Sequence, residues 1–474
     1  MASGKKAGTS NRKEKGRRKG DPLLTADRST ELLIDLTIAS LILAIVVLVY
    51  SISMPVVADS RWSVHTAMSV IKEGNINLNE YRQVLAANNY YMIENHEGNL
   101  YNRFPIGVSL MVVPLVFIYD RFAGLGEVVK TTIPSEVELY AASIIVAAAG
   151  IFIFLIGKKC TGKRWQGLLL AAVFAFATSA WSTAGLALWQ HGPTMLMLSA
   201  ALYLILLARE RPALIQLAAL PLSFSFIVRP TNAIPIVLFS IYVFLEHRRY
   251  FLRYALLGIL LALPFLALNY SIYGQLVSPY YSPDRLGTTS GIPRFLVGLA
   301  GTTISPGRGL FLFSPVLLLS LAGIYLKVRS RRFYRLDYFL AAIILLHWFS
   351  ISSVMQWWGG HSYGPRFFAD MIPFFIYFLI PVFERISSLK SRLTTSAAWS
   401  LVAVLVLFSV FVQFRGATCS QVQSWNVRPE IHENRERLWD YGDISYLSGI
   451  GDNLFRWHEK CFADDAQFFI TLQP

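Results

Sequence analysis

Charged residues are scarce in this chain of 474 residues, where Asp, Glu, Lys and Arg together make up 15% of the total. Soluble globular proteins usually carry about 25%. Hydrophobic residues account for 54%, and they come in blocks of about 17–25, the length at which a helix crosses about 30 Å of hydrocarbon. The blocks lack the short alternation of an outer-membrane barrel. The composition therefore predicts an all-α polytopic membrane protein.

Several chemical signatures are also missing. The sequence has no His/Cys/carboxylate cluster at metal-ligand spacing, no phosphate-binding glycine loop of the nucleotide-hydrolase kind and no G-x-S-x-G elbow. These absences argue against a pump that is driven by its own nucleotide hydrolysis.

The net charge of +14 is not spread as it would be in a nucleic-acid-binding protein. Nine of the 43 basic residues fall in the first 28 positions, and many others flank apolar blocks. This distribution is typical of membrane topology and of contact with anionic lipid headgroups, rather than of a groove that follows phosphates. We expect membrane lipids and no nucleic acid among the partners, and a disordered basic cytosolic tail over residues 1–30.

The positive-inside rule orders the apolar blocks. Eleven spans are predicted, near 32–54, 138–157, 165–182, 192–208, 213–228, 232–246, 253–270, 308–326, 337–354, 366–384 and 396–414. All later basic loops are cytosolic only if the short apolar piece 105–119 lies along the outer surface or re-enters instead of crossing.

The N-terminus is then cytosolic, and a transmembrane domain covers residues 31–414. Residues 55–121 form a large first outer loop with juxtamembrane helices, and residues 415–474 form a small outer C-terminal segment. A cleavable signal peptide is the competing interpretation of the first span, but the apolar run is long for a signal core. An uncleaved anchor is the preferred prediction.

Three cysteines are present. Cys160 lies at a cytosolic helix end, whereas Cys419 and Cys461 both fall in the outer C-terminal segment, where oxidation can occur. A disulfide between those two and a pair of free thiols both remain open.

This topology gathers polar residues at the outer face. Ionisable side chains at membrane depth tend to mark a functional pathway, arginines beside apolar walls suit a lipid-linked phosphate, and a lone carboxylate suits a general base. The candidates are Asp59, Asn102, Arg103, Gln190, His191, Arg229, Arg308, His361, Tyr363, Arg366 and Asp370.

Each candidate also has a simpler explanation. Asp59 could cap a juxtamembrane helix, and Arg103 and Arg308 could extend to lipid headgroups. Arg366 and Asp370 are four residues apart and could pair only with each other.

Four segments resemble the membrane-embedded type C glycosyltransferases that use polyprenyl-phosphate sugars. The likeness is closest to bacterial relatives of the protein O-mannosyltransferases and of the lipid A aminoarabinose transferase. The segments are ADSRW after the first span (58–62), LYNRFPIGVSLMVVPLVF (100–117), LWQHGPT with VRPTN (188–194 and 228–232), and WWGGHSYGPRFFADMIPF (357–374).

The resemblance implies a role for each matching residue. Asp59 would be the catalytic base that deprotonates the acceptor, and Arg103, Arg229 and Arg366 would bind the donor phosphate. The cavity would be lined by Asn102, Gln190, His191, Arg308, His361, Tyr363 and Asp370. Attack on the anomeric carbon would invert its configuration, with polyprenyl phosphate as the leaving group.

The chain also departs from the family pattern. Many relatives carry a second acidic residue beside the first, whereas this chain reads Asp59-Ser60-Arg61 and has no D-x-D there. Phosphate stabilisation would then fall to arginine, and we expect neither a metal nor another cofactor.

The leading hypothesis is an enzyme, a hexosyl- or pentosyl-type glycosyltransferase that moves one sugar from a polyprenyl-phosphate donor to a lipid, glycan or protein acceptor. The alternatives are a transporter or flippase for a lipid-linked saccharide, and a ligase that moves a whole glycan. We expect a bacterial plasma membrane with the site facing the periplasm or the cell exterior; an endoplasmic reticulum equivalent stays open. No motif selects the sugar or the acceptor.

Overall fold

The computed structural model describes residues 22–56, 59–87, 92–281, 287 and 291–450, with side chains from residue 29 onward. Contacts divide the chain into residues 1–41 and residues 42–474, and the packing and contacts described below lie within the second unit. Helix predominates, and the described residues include one two-stranded antiparallel sheet.

The α-helices have the following bounds in chain order: α1 Pro22–Tyr50, α2 Ser63–Lys72, α3 Arg82–Ala87, α4 Gly107–Ala123, α5 Leu125–Val128, α6 Ser135–Thr161, α7 Arg164–Phe176, α8 His191–Ala208, α9 Ala219–Val228, α10 Ala233–Glu246, α11 Arg248–Tyr273, α12 Ile292–Ile304, α13 Leu310–Phe313, α14 Leu318–Arg329, α15 Arg335–Ser352, α16 Ile372–Ser387, α17 Arg392–Thr418 and α18 Ser420–Ser424. The strands are β1 Ile93–His96 and β2 Asn99–Asn102.

Seven helical segments in the described residues are long and apolar enough to cross a membrane: Ser29–Tyr50, Ser135–Thr161, His191–Ala208, Arg248–Tyr273, Arg335–Ser352, Arg366–Ser387 and Arg392–Thr418. Shorter apolar helices cover Arg164–Phe176, Pro212–Val228, Pro230–Glu246 and Ile292–Ile304. The mostly helical fold and the seven apolar segments agree with the prediction of an all-α membrane protein, while the number of eleven spans and the orientation stay predictions.

Two predicted spans differ from the observed helices. The apolar stretch 308–326 is broken at Ser314, where α13 ends and a 3₁₀ turn over Pro315–Leu317 precedes α14. Proline lacks the N–H that a continuous helix needs. The predicted span 165–182 ends early, because α7 stops at Phe176 and a single π-type turn follows at Ala180–Ala184.

The segment predicted as the first outer loop (55–121) packs with α6 and the end of α9 around one apolar core, in which Trp62, Leu85 and Val112 are fully buried. Strands β1 and β2 pair in register from Ile93 with Asn102 to His96 with Asn99. Glu97 and Gly98 connect the two strands, and their φ values are 51° and 83°. A two-residue type I′ hairpin turn requires positive φ at both of these positions. The apolar piece predicted not to cross the membrane is α4, which is not one of the seven long apolar segments.

Two glycines set close helix contacts. A side chain at Gly107, the first residue of α4, would collide with the backbone at Ile227 and Val228, which end α9. A side chain at Gly323 of α14 would overlap the carbonyl oxygen of Phe378 in α16, and Ser320 donates a hydrogen bond of 2.8 Å to the Phe375 carbonyl nearby. These contacts fix α4 beside Arg229 and α14 beside α16.

Candidate functional site

An ion pair joins the two sequence motifs that lie farthest apart. Asp59 sits in the turn that follows the first helix, and Arg366 opens a 3₁₀ turn that leads into α16. The Nη1 atom of Arg366 lies 3.2 Å from Oδ2 of Asp59, and the two side chains are 11% and 27% exposed. The carboxylate is therefore accessible, while the guanidinium is mostly enclosed.

The rest of the Arg366 guanidinium is held by aromatic faces. It lies over the Trp189 ring at 4.5 Å and over the Phe367 ring at 5.2 Å, contacts that favour a cation in this position. Its Nε atom is buried and has no hydrogen-bond partner among the described residues. Buried donors are rarely left unsatisfied, so this N–H points to an acceptor that a ligand would supply.

A second, more deeply buried group surrounds Asp370. Its Oδ1 atom lies 2.8 Å from Nδ1 of His191, and its Oδ2 atom lies 3.3 Å from Nη1 of Arg229. Arg229 follows α9 in an extended conformation and also donates to Thr231 at 2.8 Å. The alternative that Arg366 and Asp370 pair only with each other is not what the structure shows, because each has another partner.

His191 begins α8 and connects this group. Nδ1 of His191 is 2.8 Å from Asp370 and also 2.8 Å from Nη1 of Arg229. One ring nitrogen donates when it carries the proton and accepts when it does not, so it can serve only one of these partners at a time. The proton position on His191 thus decides whether the ring supports the carboxylate or the guanidinium.

Two neighbouring tyrosines, Tyr280 and Tyr281, complete the site, and neither is among the candidates that the sequence offered. Tyr281 donates a hydrogen bond of 2.5 Å to Oε1 of Gln190, whose Nε2 atom is buried without a partner among the described residues. Burial and the Asp59 carboxylate raise the pKa of Tyr280. Three guanidinium groups oppose that rise and so lie around the same ring: Arg366, Arg229 and Arg103.

Glu138 is a site residue that sequence reasoning missed. It lies in the first turn of α6, is 1% exposed, and accepts a hydrogen bond of 2.7 Å from Ser60. An acidic residue at the start of an apolar run reads as an ordinary interface residue, so only its burial distinguishes it. Through Ser60 it anchors the turn that presents Asp59.

Asn102 and Arg103 have partners both in their own segment and in the loop that follows α11. The Nε atom of Arg103 lies 2.9 Å from Glu94, and Ser278 donates a hydrogen bond to its carbonyl oxygen. The side chain of Asn102 accepts from the backbone of Phe104 at 3.1 Å and so caps a local turn. Arg103 therefore remains near the tyrosines, whereas Asn102 has a structural contact that accounts for it.

Arg308 and Tyr363 are integrated into the packing. Arg308 is 1% exposed and donates to the carbonyls of Trp358 at 2.6 Å and Gly360 at 3.0 Å, and to the side chain of Asn426 at 2.6 Å. It ties the loop after α15 to the C-terminal segment. Tyr363 is buried and donates to the Val412 carbonyl at 2.7 Å.

His361 lies at the surface, 44% exposed, and pairs with Glu430 at 2.7 Å. It forms part of a separate group with His432. Cys160 is a free cysteine. Cys419 is disulfide-bonded, and Cys461 lies outside the described residues, so the predicted pairing of the two stays a prediction.

Comparison of the chain with models of known protein families gives no match, and comparison with curated proteins gives none either. The chemistry must therefore be argued from the residues themselves. The site combines an accessible carboxylate, two enclosed guanidinium groups, two unsatisfied donors and several aromatic faces. Such a set can hold an anionic oxygen group beside a proton acceptor.

Proposed function

We propose that this chain is a glycosyltransferase that moves a single sugar from a polyprenyl-phosphate donor to an acceptor hydroxyl or amine. The observation that carries the proposal is the contact of 3.2 Å between Asp59 and Arg366, whose Nε atom is buried and unsatisfied. This pairing puts a base and a phosphate-binding cation at one point, as transfer from a sugar phosphate requires.

The donor phosphate would bind to Arg366 and Arg229. Guanidinium groups bind phosphate oxygens through two parallel hydrogen bonds, and the free Nε–H of Arg366 supplies one donor of such a pair. Trp189 and Phe367 fix the plane of the guanidinium, so little side-chain entropy is lost when phosphate arrives.

Phosphate binding would also weaken the contact between Asp59 and Arg366. Asp59 and a phosphate group compete for the same guanidinium, and a carboxylate that gives up a cationic partner becomes a better proton acceptor. Asp59 then removes the proton from the acceptor, and the acceptor atom forms its bond to the anomeric carbon. The bond from that carbon to the phosphate oxygen breaks, and the electron pair leaves with polyprenyl phosphate. Attack from the side opposite the leaving group inverts the configuration.

Asp370 and His191 act as positioning residues in this scheme. Asp370 is fully buried and holds Arg229 through a contact of 3.3 Å, so Arg229 cannot turn away from the phosphate. The transporter alternative would use the same arginines but has no need of Asp59 as a base. The role of Asp59 therefore separates the two proposals.

The test uses cells that lack the protein and are supplied with wild type, Asp59→Asn or the control Glu210→Gln. Glu210 is 69% exposed and pairs with Lys159, on the other side of the helices. Polyprenyl-phosphate sugars are then measured by mass spectrometry of lipid extracts. We expect one donor to accumulate without the protein, wild type and Glu210→Gln to clear it, and Asp59→Asn to slow its turnover by about 10²–10⁴-fold, the usual contribution of a general base.

Clearance by Asp59→Asn at the wild-type rate, in a variant present at the wild-type level, contradicts a catalytic carboxylate and favours the transporter. An unchanged pool of polyprenyl-phosphate sugars in every strain contradicts the donor class itself.

A further inference from the structure

Three metal-binding side chains meet at the surface beside the C-terminal segment. His361, Glu430 and His432 each offer one ligand atom, and these atoms lie within 4.8 Å of one another. His361 comes from the loop between α15 and the Arg366 turn, while Glu430 and His432 lie 69 and 71 residues further on. Only folding brings them together, so no sequence spacing reveals the group.

We propose that His361, Glu430 and His432 form a Zn²⁺ site that fastens the C-terminal segment to the loop that leads to Arg366. Two imidazoles and one carboxylate are a ligand set that zinc favours, and they leave one position open for water. Mg²⁺ prefers oxygen ligands and octahedral geometry, so this set selects against it.

The ligand atoms lie within 4.8 Å of one another, and the separation between His361 and Glu430 shows how far that pair must adjust to hold an ion. Nε2 of His361 lies 2.7 Å from Oε2 of Glu430. Zinc bonds of about 2.0–2.2 Å in a tetrahedron place two ligand atoms about 3.3 Å apart. The pair must therefore separate by about 0.6 Å, which partly exposed side chains achieve by small rotations. Exposures of 44% for His361 and 33% for Glu430 also leave an entry path.

The backbone around the group is already held in place. The guanidinium of Arg308 binds the Gly360 carbonyl on the loop and Asn426 on the C-terminal segment. The backbone N–H of His432 donates to Glu430 at 3.0 Å, and Asn434 donates to the Glu430 carbonyl at 2.8 Å. Ligands on a fixed scaffold lose little entropy on binding.

One nearby charge works against a cation at this group. The Arg435 guanidinium lies 5.1 Å from the Trp358 ring, which itself contacts His432.

The alternative is a simple surface ion pair between His361 and Glu430, which contributes little to stability and has no need of a metal. The two explanations differ in one measurable property. A metal site binds Zn²⁺ with a stoichiometry of one and needs all three residues, whereas an ion pair does not involve His432.

The experiment uses the purified full-length chain in detergent, stripped with a chelator and titrated with ZnCl₂ by calorimetry, with the melting temperature measured at each step. We expect one ion per chain, a rise in melting temperature, and no response to MgCl₂. His361→Ala and His432→Ala should each weaken binding by at least about 100-fold, because loss of even an outer-shell partner costs about 10–100-fold. The control His247→Ala alters a histidine that lies between α10 and α11 and should bind Zn²⁺ as wild type does.

Glu430→Gln provides a second test that preserves side-chain volume, and its melting temperature without metal shows whether it folds. Co²⁺ in place of Zn²⁺ gives visible absorption bands that report four-coordinate geometry, and these should disappear in His432→Ala. Unaltered Zn²⁺ binding in His361→Ala or His432→Ala, or no binding by wild type, overturns the proposal. The readout is binding, so the outcome is independent of the proposed transfer reaction.

Discussion

The helices carry two very different groups of charges at their two ends. Three helices connect the groups. Helix α6 carries Glu138 near its start and Lys159 near its end, and α8 begins at His191 and ends just before Arg209. Helix α16 begins two residues after Asp370 and carries Arg385 near its end. We call Asp59, Glu138, His191, Arg229, Arg366 and Asp370 the site end. We call Lys159, Lys163, Arg209, Lys327, Arg329, Arg332 and Arg385 the basic end.

At the site end, opposite charges lie within 3.3 Å of each other in mostly buried surroundings. At the basic end, positive side chains surround an open cavity of about 1080 Å³ together with Glu210 and Glu384. The positive charges of the basic end are of the type that orients helices in a membrane, and water and headgroups solvate them. The buried charges of the site end are costly in free energy, and such charges are retained where they have a function. The comparison shows that several buried ion pairs meeting at one place, and not the number of charges or a single buried pair, distinguish the site end.

The largest effect is expected from breaking the buried group at the site end. Asp370→Ala removes the carboxylate that Arg229 and His191 share. Removal of one member of a buried ion pair usually lowers the free energy of unfolding by about 3–5 kcal/mol. Thermal unfolding of the purified variant in detergent measures this. The double variant Asp370→Leu with Arg229→Met should lose less than the two single variants combined, and additive losses would contradict a direct pair.

A smaller effect is expected from Asp337, a fully buried carboxylate that pairs with Lys327 of the basic end. Asp337 accepts from Lys327 at 2.5 Å and from Tyr377 at 2.9 Å, and Lys327 is 13% exposed. Asp337→Asn should lower the free energy of unfolding by about 2–3 kcal/mol, as expected for hydrogen bonds to charged groups. Lys327→Met in the same background should recover part of the loss, and a variant as stable as wild type would show that this pair does not hold α14 to α15.

Acid should lower the stability of the segment that contains α2, next to the site end. Burial lowers the pKa of His65 from 6.5 to about 4. Between these two pH values the unfolded chain binds a proton at His65 that the folded chain does not. The contribution of the neutral, buried His65 to stability is therefore complete above pH 6.5 and is lost as the pH falls towards 4. At pH 5.5 the loss is about 1.4 kcal/mol. His65→Gln should show a smaller drop in melting temperature between pH 7.5 and 5.5 than wild type, and an equal drop would assign the effect to other groups.

The smallest effect is expected from an exposed charge at the basic end. Arg332→Gln removes an exposed guanidinium that lines the cavity, and the free energy of unfolding should change by no more than about 0.5 kcal/mol. Arg366→Gln, the same substitution at the site end, should have a clearly larger effect in the same thermal assay. Equal effects would remove the distinction between the two ends.

The sequence predicted the helical membrane architecture because hydropathy and loop charge depend on local composition. It also grouped Asp59, Arg229 and Arg366 by topology alone, and the structure places these residues around one pair of tyrosines. The break at Ser314 and the early end of α7 were not predicted, because apolar composition continues through both and only backbone geometry interrupts the helix.

Other parts of the site depend on how the chain folds back on itself. Besides the neighbouring Gly307 carbonyl, Arg308 donates to two carbonyls that lie 50 and 52 residues away and to the Asn426 side chain, 118 residues away. Glu138 and the group of His361, Glu430 and His432 were missed for the same reason. Contacts between distant segments leave no periodic signal in the sequence.

Gly323 determines how closely two of the long helices can approach each other. The Phe378 carbonyl of α16 occupies the space where a side chain at position 323 would lie, at a level of α16 midway between Asp370 and Arg385. Any larger residue at position 323 would push α16 away from α14 at this level, so the spacing of the two helices depends on the absence of a single methyl group.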